Sequence, residues 1–197
     1  MPLTQLDATA ALVVIDLQKG AIGIPTVPPI SEIVARTVQL ARAFRERGLP
    51  VVLVNVTSRP PGRTDTGAPP FSFPPDGTEL VPELEQHPSD HLLTKQCVGA
   101  FSGTSLDEYL RQHGVTQVFL TGVATSMGVE ATVRSAYDHG YNVVPVVHAR
   151  TDRDAEAHRH SVEKIRACSS PPLRWPRKPL PSSRARVSFQ GADVVAA

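Results

Sequence analysis

The sequence predicts an α/β domain built on a single doubly wound parallel sheet with helices on both faces, and three observations carry that prediction. Ala10 to Ile15 and Leu49 to Val56 are nearly continuous apolar runs, the pattern of strands buried on both faces rather than of half-exposed strands that alternate. Between them, Ser31 to Arg47 places Ile33, Val34, Val38, Leu40, Ala41 and Phe44 at helical spacing with charges between. The pattern returns in Val118 to Tyr141, VFLTGVATSMGVEATVRSAYDHGY, as an apolar run, a turn through Thr121-Gly122 and a helical period. Strand, helix and strand in this order make a crossover between parallel strands.

At 197 residues, 41% hydrophobic and 20% charged, the chain is expected to form one soluble domain. No apolar run approaches the roughly 20 residues of a membrane span, and no charged segment precedes an apolar one at the N-terminus, so a cytoplasmic location without a membrane partner is expected. Cys97 and Cys168 then read as free thiols. The net charge of +1 is unevenly spread: from Arg166 onward six Lys/Arg face Asp193 alone, leaving +5 there and −4 for residues 1–165. That C-terminal stretch also holds five prolines and shows no helical period. It has no aromatic interleaving beyond Trp175 and Phe189, so no nucleic-acid partner is expected. The expected organisation is a folded domain over 1–165 and a disordered Pro/Arg/Ser-rich tail over 166–197.

Taken in order, the first strand ends in Asp16, which either caps the following turn or presents a carboxylate at the carboxyl edge of the sheet. Ser31 is a candidate N-cap and Gly48 a candidate C-cap for the next helix. Thr57 to Pro88 is a long Pro- and Gly-rich segment, read as a lid or subunit contact; Phe71 and Phe73 within it either reach over a pocket or pin the loop down. His91 to Thr94 is a short strand that delivers Lys95, a residue type normally solvated at a strand end. Thr104 or Ser105 caps a helix carrying Leu106, Tyr109 and Leu110, and Asn142 to Val147 is a fifth strand. Asp152 to Ile165 reads as a charge-dense helix. His158 and His160 lie two apart on it and do not face one another, so they read as surface residues rather than metal ligands. The turn after the Val118 strand opens a helix, whose unpaired backbone N–H groups suit an anion or a developing oxyanion.

Three blocks, ALVVIDLQKG (Ala11 to Gly20), TKQCVGAFSGTSLDEYL (Thr94 to Leu110) and GVATSMGVEATVRSAYDHGY (Gly122 to Tyr141), occur in that order within residues 8 to 165. Together they resemble the isochorismatase-like, or cysteine hydrolase, family, to which the 166–197 tail is expected to be non-homologous. The resemblance implies a strand order of 3-2-1-4-5 with room for a sixth strand, and hydrolysis of an amide or vinyl ether in a small-molecule substrate. It implies Asp16 and Lys95 as catalytic residues and places Gly128 where covalent members carry the nucleophilic Cys. It further implies a non-proline cis peptide at Val123-Ala124, oxyanion donors on Ala124 and Gly128, and a pocket lined by Gln18, Phe71, Phe101 and Thr125. Val98 stands where the family often has an aromatic residue.

With the thiol replaced, the resemblance points to non-covalent chemistry in which Asp16 is the acid or base and Lys95 stabilises charge. A catalytically silent binding or assembly module is the alternative, and Cys97 acting as a substitute nucleophile is a subsidiary one. Nicotinamidases of the superfamily bind a metal through an Asp and several His residues. Here Asn55-Val56-Thr57 offers no His, and His87 and His91 stand apart from a suitable acid, so neither a metal nor another cofactor is expected. A homo-oligomer is expected.

Overall fold

The computed structural model describes residues 7–62 and 73–164; Phe71, Cys168 and the proposed tail lie outside the described residues. Five strands form one sheet, β1 (Ala10–Ile15), β2 (Val51–Val56), β3 (His91–Lys95), β4 (Gln117–Val123) and β5 (Asn142–Thr151). Every neighbouring pair is parallel and the order is β3-β2-β1-β4-β5, as the resemblance implies. The helices are α1 (Lys19–Ile22), α2 (Ile30–Arg45), α3 (Leu106–Gln112), α4 (Glu130–Asp138) and α5 (Ala155–Lys164).

β1 is central, and all six of its residues are fully buried. Its alternate residues split between two cores. Ala10, Leu12 and Val14 join Phe119 under α2, whereas Ala11, Val13 and Ile15 join Leu120, Leu106 and Val133 under α3 and α4. That is why the β1 run is apolar without alternation. Pro145 is tolerated in β5 because β5 is an edge strand, where a missing N–H interrupts no second ladder.

Several boundaries differ from the sequence expectation. Thr121 and Gly122 stay in β4, which runs to Val123. Gly122 has φ +117° and lies so close to Ile15 that a Cβ would strike its carbonyl, so this glycine allows close strand approach rather than a turn. The turn comes instead as a π-helical segment, Thr125–Val129, in front of α4. Ser31 lies inside α2, whose N-cap position is Pro29; Gly48, at φ +65°, does follow the helix end as expected. β5 extends to Thr151, four residues past Val147 in sequence, and α5 is opened by Asp154, whose Oδ1 accepts from Glu156 N at 2.7 Å and Ala157 N at 3.0 Å. The long Pro-rich segment is tied into the α2 core by Val81 and Leu84, at 1% and 0% exposure. Phe73 packs against Gly20 and Gly77 within it.

Candidate active site

The strand order reverses direction between β1 and β4, and in such sheets the crevice for a ligand opens outside the carboxyl ends of the strands at that point. Asp16 follows β1 directly and Ala124 follows β4 directly, so the topology alone brings them to one edge. Lys95 is the last residue of β3, on the far side of β2, and its long side chain spans the gap. Its Nζ lies 2.9 Å from Asp16 Oδ2.

Both charges are buried, Lys95 at 2% and Asp16 at 9% exposure. The ammonium also donates to the carbonyls of Val98 at 2.9 Å and Cys97 at 3.2 Å. An ammonium has three protons, so these two carbonyls and Asp16 use them all. Asp16 is less well served. Its Oδ1 is buried with no hydrogen-bond partner, and its backbone sits at φ +54°, a region a non-glycine residue adopts at a cost of order 1–3 kcal/mol. Burial pushes the Asp16 carboxyl up from 3.8 to about 6, against the opposing pull of Lys95. Desolvation therefore outweighs the ion pair, and the carboxyl can hold or release a proton close to neutrality.

Gly128 completes the group. A Cβ built on it would lie 3.2 Å from Asp16 Oδ2 and 3.3 Å from Ile15 Cγ2, so the position faces the Asp16 carboxylate. It is absent from the positive-φ glycines, so its backbone is one that any residue adopts. The peptide Val123-Ala124 is cis, at the place the resemblance implies. The Ala124 carbonyl accepts from Met127 N and Val129 N, both at 3.1 Å, closing the turn on itself.

The other described positions assigned from the sequence make contacts of their own. Gln18, expected in the pocket, is fully buried and its amide is spent on the backbone: Nε2 donates to Val56 O and Gly77 O, and Oε1 accepts from Val56 N. It ties the loop after β1 to the end of β2. Phe101 is also not at this edge. It is 8% exposed and stacks on His139 at 5.0 Å and near Tyr141 at 6.0 Å, beside the amino end of β5, because the loop after β3 runs back along α4 with Gly99 against Ala131. Thr125 is fully buried and turned towards α5, where Oγ1 meets His158 Nδ1 at 2.9 Å. His158 is thus a half-buried partner of the turn rather than a surface residue. Asp152 is a residue the sequence did not single out: its Oδ2 accepts both the N–H and the hydroxyl of Ser126 at 2.7 Å. Neither has a sequence signal, since both contacts join segments more than 25 residues apart.

β3 ends at Lys95, so Cys97 sits in a bend and not in an extended segment sharing Lys95's face. Among the described residues no three His, Cys, Asp or Glu side chains converge as a metal would require. His91 stacks on Tyr109 at 3.9 Å and His87 bonds to Ser89, so the two are occupied apart from one another. Nor is any helix of the described residues long and apolar enough to cross a membrane.

Comparison with known proteins agrees with this fold. The isochorismatase domain model matches residues 10–176, beyond the expected domain boundary at 165. The isochorismatase family protein YecD of Escherichia coli O157:H7 is 37% identical over 83% of this chain and 91% of its own. Maleamate amidohydrolase of Pseudomonas putida is 30% identical over 79% and 78%. A solved isochorismatase family structure from Burkholderia thailandensis superposes with a TM-score of 0.78 at 41% identity, covering 81% of this chain and 88% of that one. With the sheet order, the domain match and these relatives in agreement, the chain belongs to the isochorismatase family and is a hydrolase of that family.

Proposed function

We propose that this chain hydrolyses an amide or vinyl-ether bond of a small metabolite without a covalent enzyme intermediate, with Asp16 moving the proton and Lys95 stabilising charge. The observation that carries this reading is the buried Asp16–Lys95 contact of 2.9 Å facing Gly128, with Oδ1 left unpaired. The similarity to maleamate amidohydrolase favours the amide.

For an amide, the ionised Asp16 carboxylate accepts a proton from water as the water oxygen bonds to the carbonyl carbon. The carbonyl oxygen becomes an oxyanion, for which backbone N–H groups of Ala124 and Gly128 are the proposed donors. Collapse breaks the C–N bond, and the proton held on Asp16 passes to the departing nitrogen, giving acid and amine. For a vinyl ether the protonated carboxyl instead gives its proton to the enol carbon, water adds to the resulting oxocarbenium carbon as the carboxylate takes up the water's proton, and the hemiketal then breaks its C–O bond to give a carbonyl compound and an alcohol. Both routes need a carboxyl that exchanges its proton near neutrality, and a value of about 6 suits that. Lys95 has no proton left for the substrate. Its part is to hold Asp16 in place and set the local field, which in a buried site is strong.

The test is a panel of small amides, maleamate included, and vinyl ethers, isochorismate included, followed by product detection with Lys95→Ala as the control. Turnover that vanishes in the control supports the reading. Silence of the unmodified chain on the whole panel overturns it in favour of a binding module.

A further inference from the structure

We infer that Asp152 and His158 are positioning residues for the turn that carries Gly128, holding Ser126 and Thr125 from the corner between β5 and α5. The inference rests on the functional reading above, because it matters only if the N–H groups of that turn meet a reacting atom. Neither residue hydrogen-bonds to Asp16 or Lys95.

Asp152 is 4% exposed, and every group around its carboxylate is a donor. Oδ2 takes Ser126 N and Ser126 Oγ at 2.7 Å, while Oδ1 takes Arg153 N at 2.8 Å and Asp154 N at 3.3 Å. Four donors to one group require a carboxylate; an amide would turn its own N–H groups on two of them. The corner itself is anchored, since Val27 N donates to Asp152 O at 2.8 Å and the Thr151 hydroxyl bonds to Pro28 O. Asp152 is therefore a fixed point from which Ser126, two residues before Gly128, is held at both its backbone and its side chain.

His158 does the same for Thr125. The Thr125 hydroxyl lies 3.0 Å from Thr151 O and 2.9 Å from His158 Nδ1. A carbonyl only accepts, so the single hydroxyl proton goes to Thr151 O and the imidazole must bring its own proton on Nδ1. Burial and the Arg150 guanidinium hold His158 below its ordinary value, while Asp152 pulls the other way, so the ring is neutral at neutral pH and this tautomer is defined. A third tie, Ser161 Oγ to Glu130 Oε2 at 2.6 Å, links α5 to the first residue of α4. Thr125, Ser126 and Glu130 bracket Gly128, and all three are held from the same side. Gly128, which they bracket, faces Asp16.

The experiment uses the full chain with Gly128→Cys as a reporter, since a thiol there senses both the helix start and Asp16–Lys95. Iodoacetamide alkylation of the variant is followed against pH, alone and combined with His158→Ala, His158→Asn, His158→Gln or Asp152→Asn, with the melting temperature of each. Alone, the thiol is expected to titrate below the ordinary value of about 8.5. His158→Ala and Asp152→Asn are expected to raise that titration by about one pH unit, slowing alkylation at pH 7 severalfold. His158→Asn, which places an N–H near the Nδ1 position, restores the fast rate. His158→Gln places it near Nε2 and does not. If His158→Ala fails to fold, the contrast between Asn and Gln decides. A reactive thiol indifferent to all these changes, or changes that lower melting temperature without moving the thiol titration, overturn the inference alone. A thiol inert in the otherwise unchanged chain overturns the functional reading and this inference with it.

Discussion

β3 is five residues long and has an ion pair at each end, part-buried at the amino end and buried at the carboxyl end, and the two are built differently. At its amino end Asp90 meets Arg45 of α2 in a two-pronged contact, Nε to Oδ1 at 2.9 Å and Nη2 to Oδ2 at 2.6 Å, and His87 N adds a third bond to Oδ2. Both carboxylate oxygens are satisfied, and the geometry is the one that favours arginine. At its carboxyl end Lys95 meets Asp16 through a single oxygen, and Oδ1 is left buried and unpaired. Two charge pairs a strand apart thus differ in whether they are finished. A finished pair ties α2 to the sheet. An unfinished one retains an acceptor, at a cost the rest of the fold must offset, and that is the expected mark of a group kept for chemistry rather than for stability.

The sharpest way to break this contrast is to remove one carboxylate at a time. Asp16→Asn is expected to lower kcat/KM on any substrate found by about 10²–10⁴-fold, the range for losing a general acid or base, while Asp90→Asn leaves it nearly unchanged. Equal losses from both would mean that the carboxyl-edge pair is structural too. The reverse asymmetry is expected in stability. Asp90→Ala leaves Arg45, whose side chain is 12% exposed, without its partner, and should cost about 4 kcal/mol in a urea titration. A loss of a few tenths would show that Arg45 simply turns to solvent.

The smallest effect is a pH dependence with a definite sign. The folded carboxyl of Asp16 titrates at about 6, above its ordinary 3.8, so the folded chain binds a proton that the unfolded chain releases between those values. Its contribution is complete below pH 3.8 and is lost as pH rises through 6. At 1.36 kcal/mol per pH unit, the stability of the unmodified chain relative to Asp16→Asn should fall by about 3 kcal/mol across that window. Parallel urea curves of the two chains from pH 4 to 7 measure it, and a constant difference would mean that the Lys95 contact, not burial, governs Asp16.

Much of this was legible in the chain itself. The apolar runs of β1 and β2 and the helical spacing of α2 are short-range patterns, and they specify elements because burial on both faces or on one stripe is a local property of residue order. The resemblance of three blocks added the strand order, and with it the meeting of Asp16, Lys95 and Gly128 at one edge. Element boundaries were less secure where close packing overrode local signals: Gly122 reads as a turn residue, yet it lies within β4 because Ile15 leaves no room for a side chain. Tertiary structure alone decided what the polar side chains do. Gln18 was spent on Val56 and Gly77, Phe101 was carried to the opposite edge, and Asp152 and His158 were drawn to the turn before Gly128. The same holds for the proton affinity of Asp16, which follows from burial winning over Lys95. A hydrogen bond or a desolvated charge depends on which distant segments close around a group. Residue order within a window of ten or twenty positions carries no record of that.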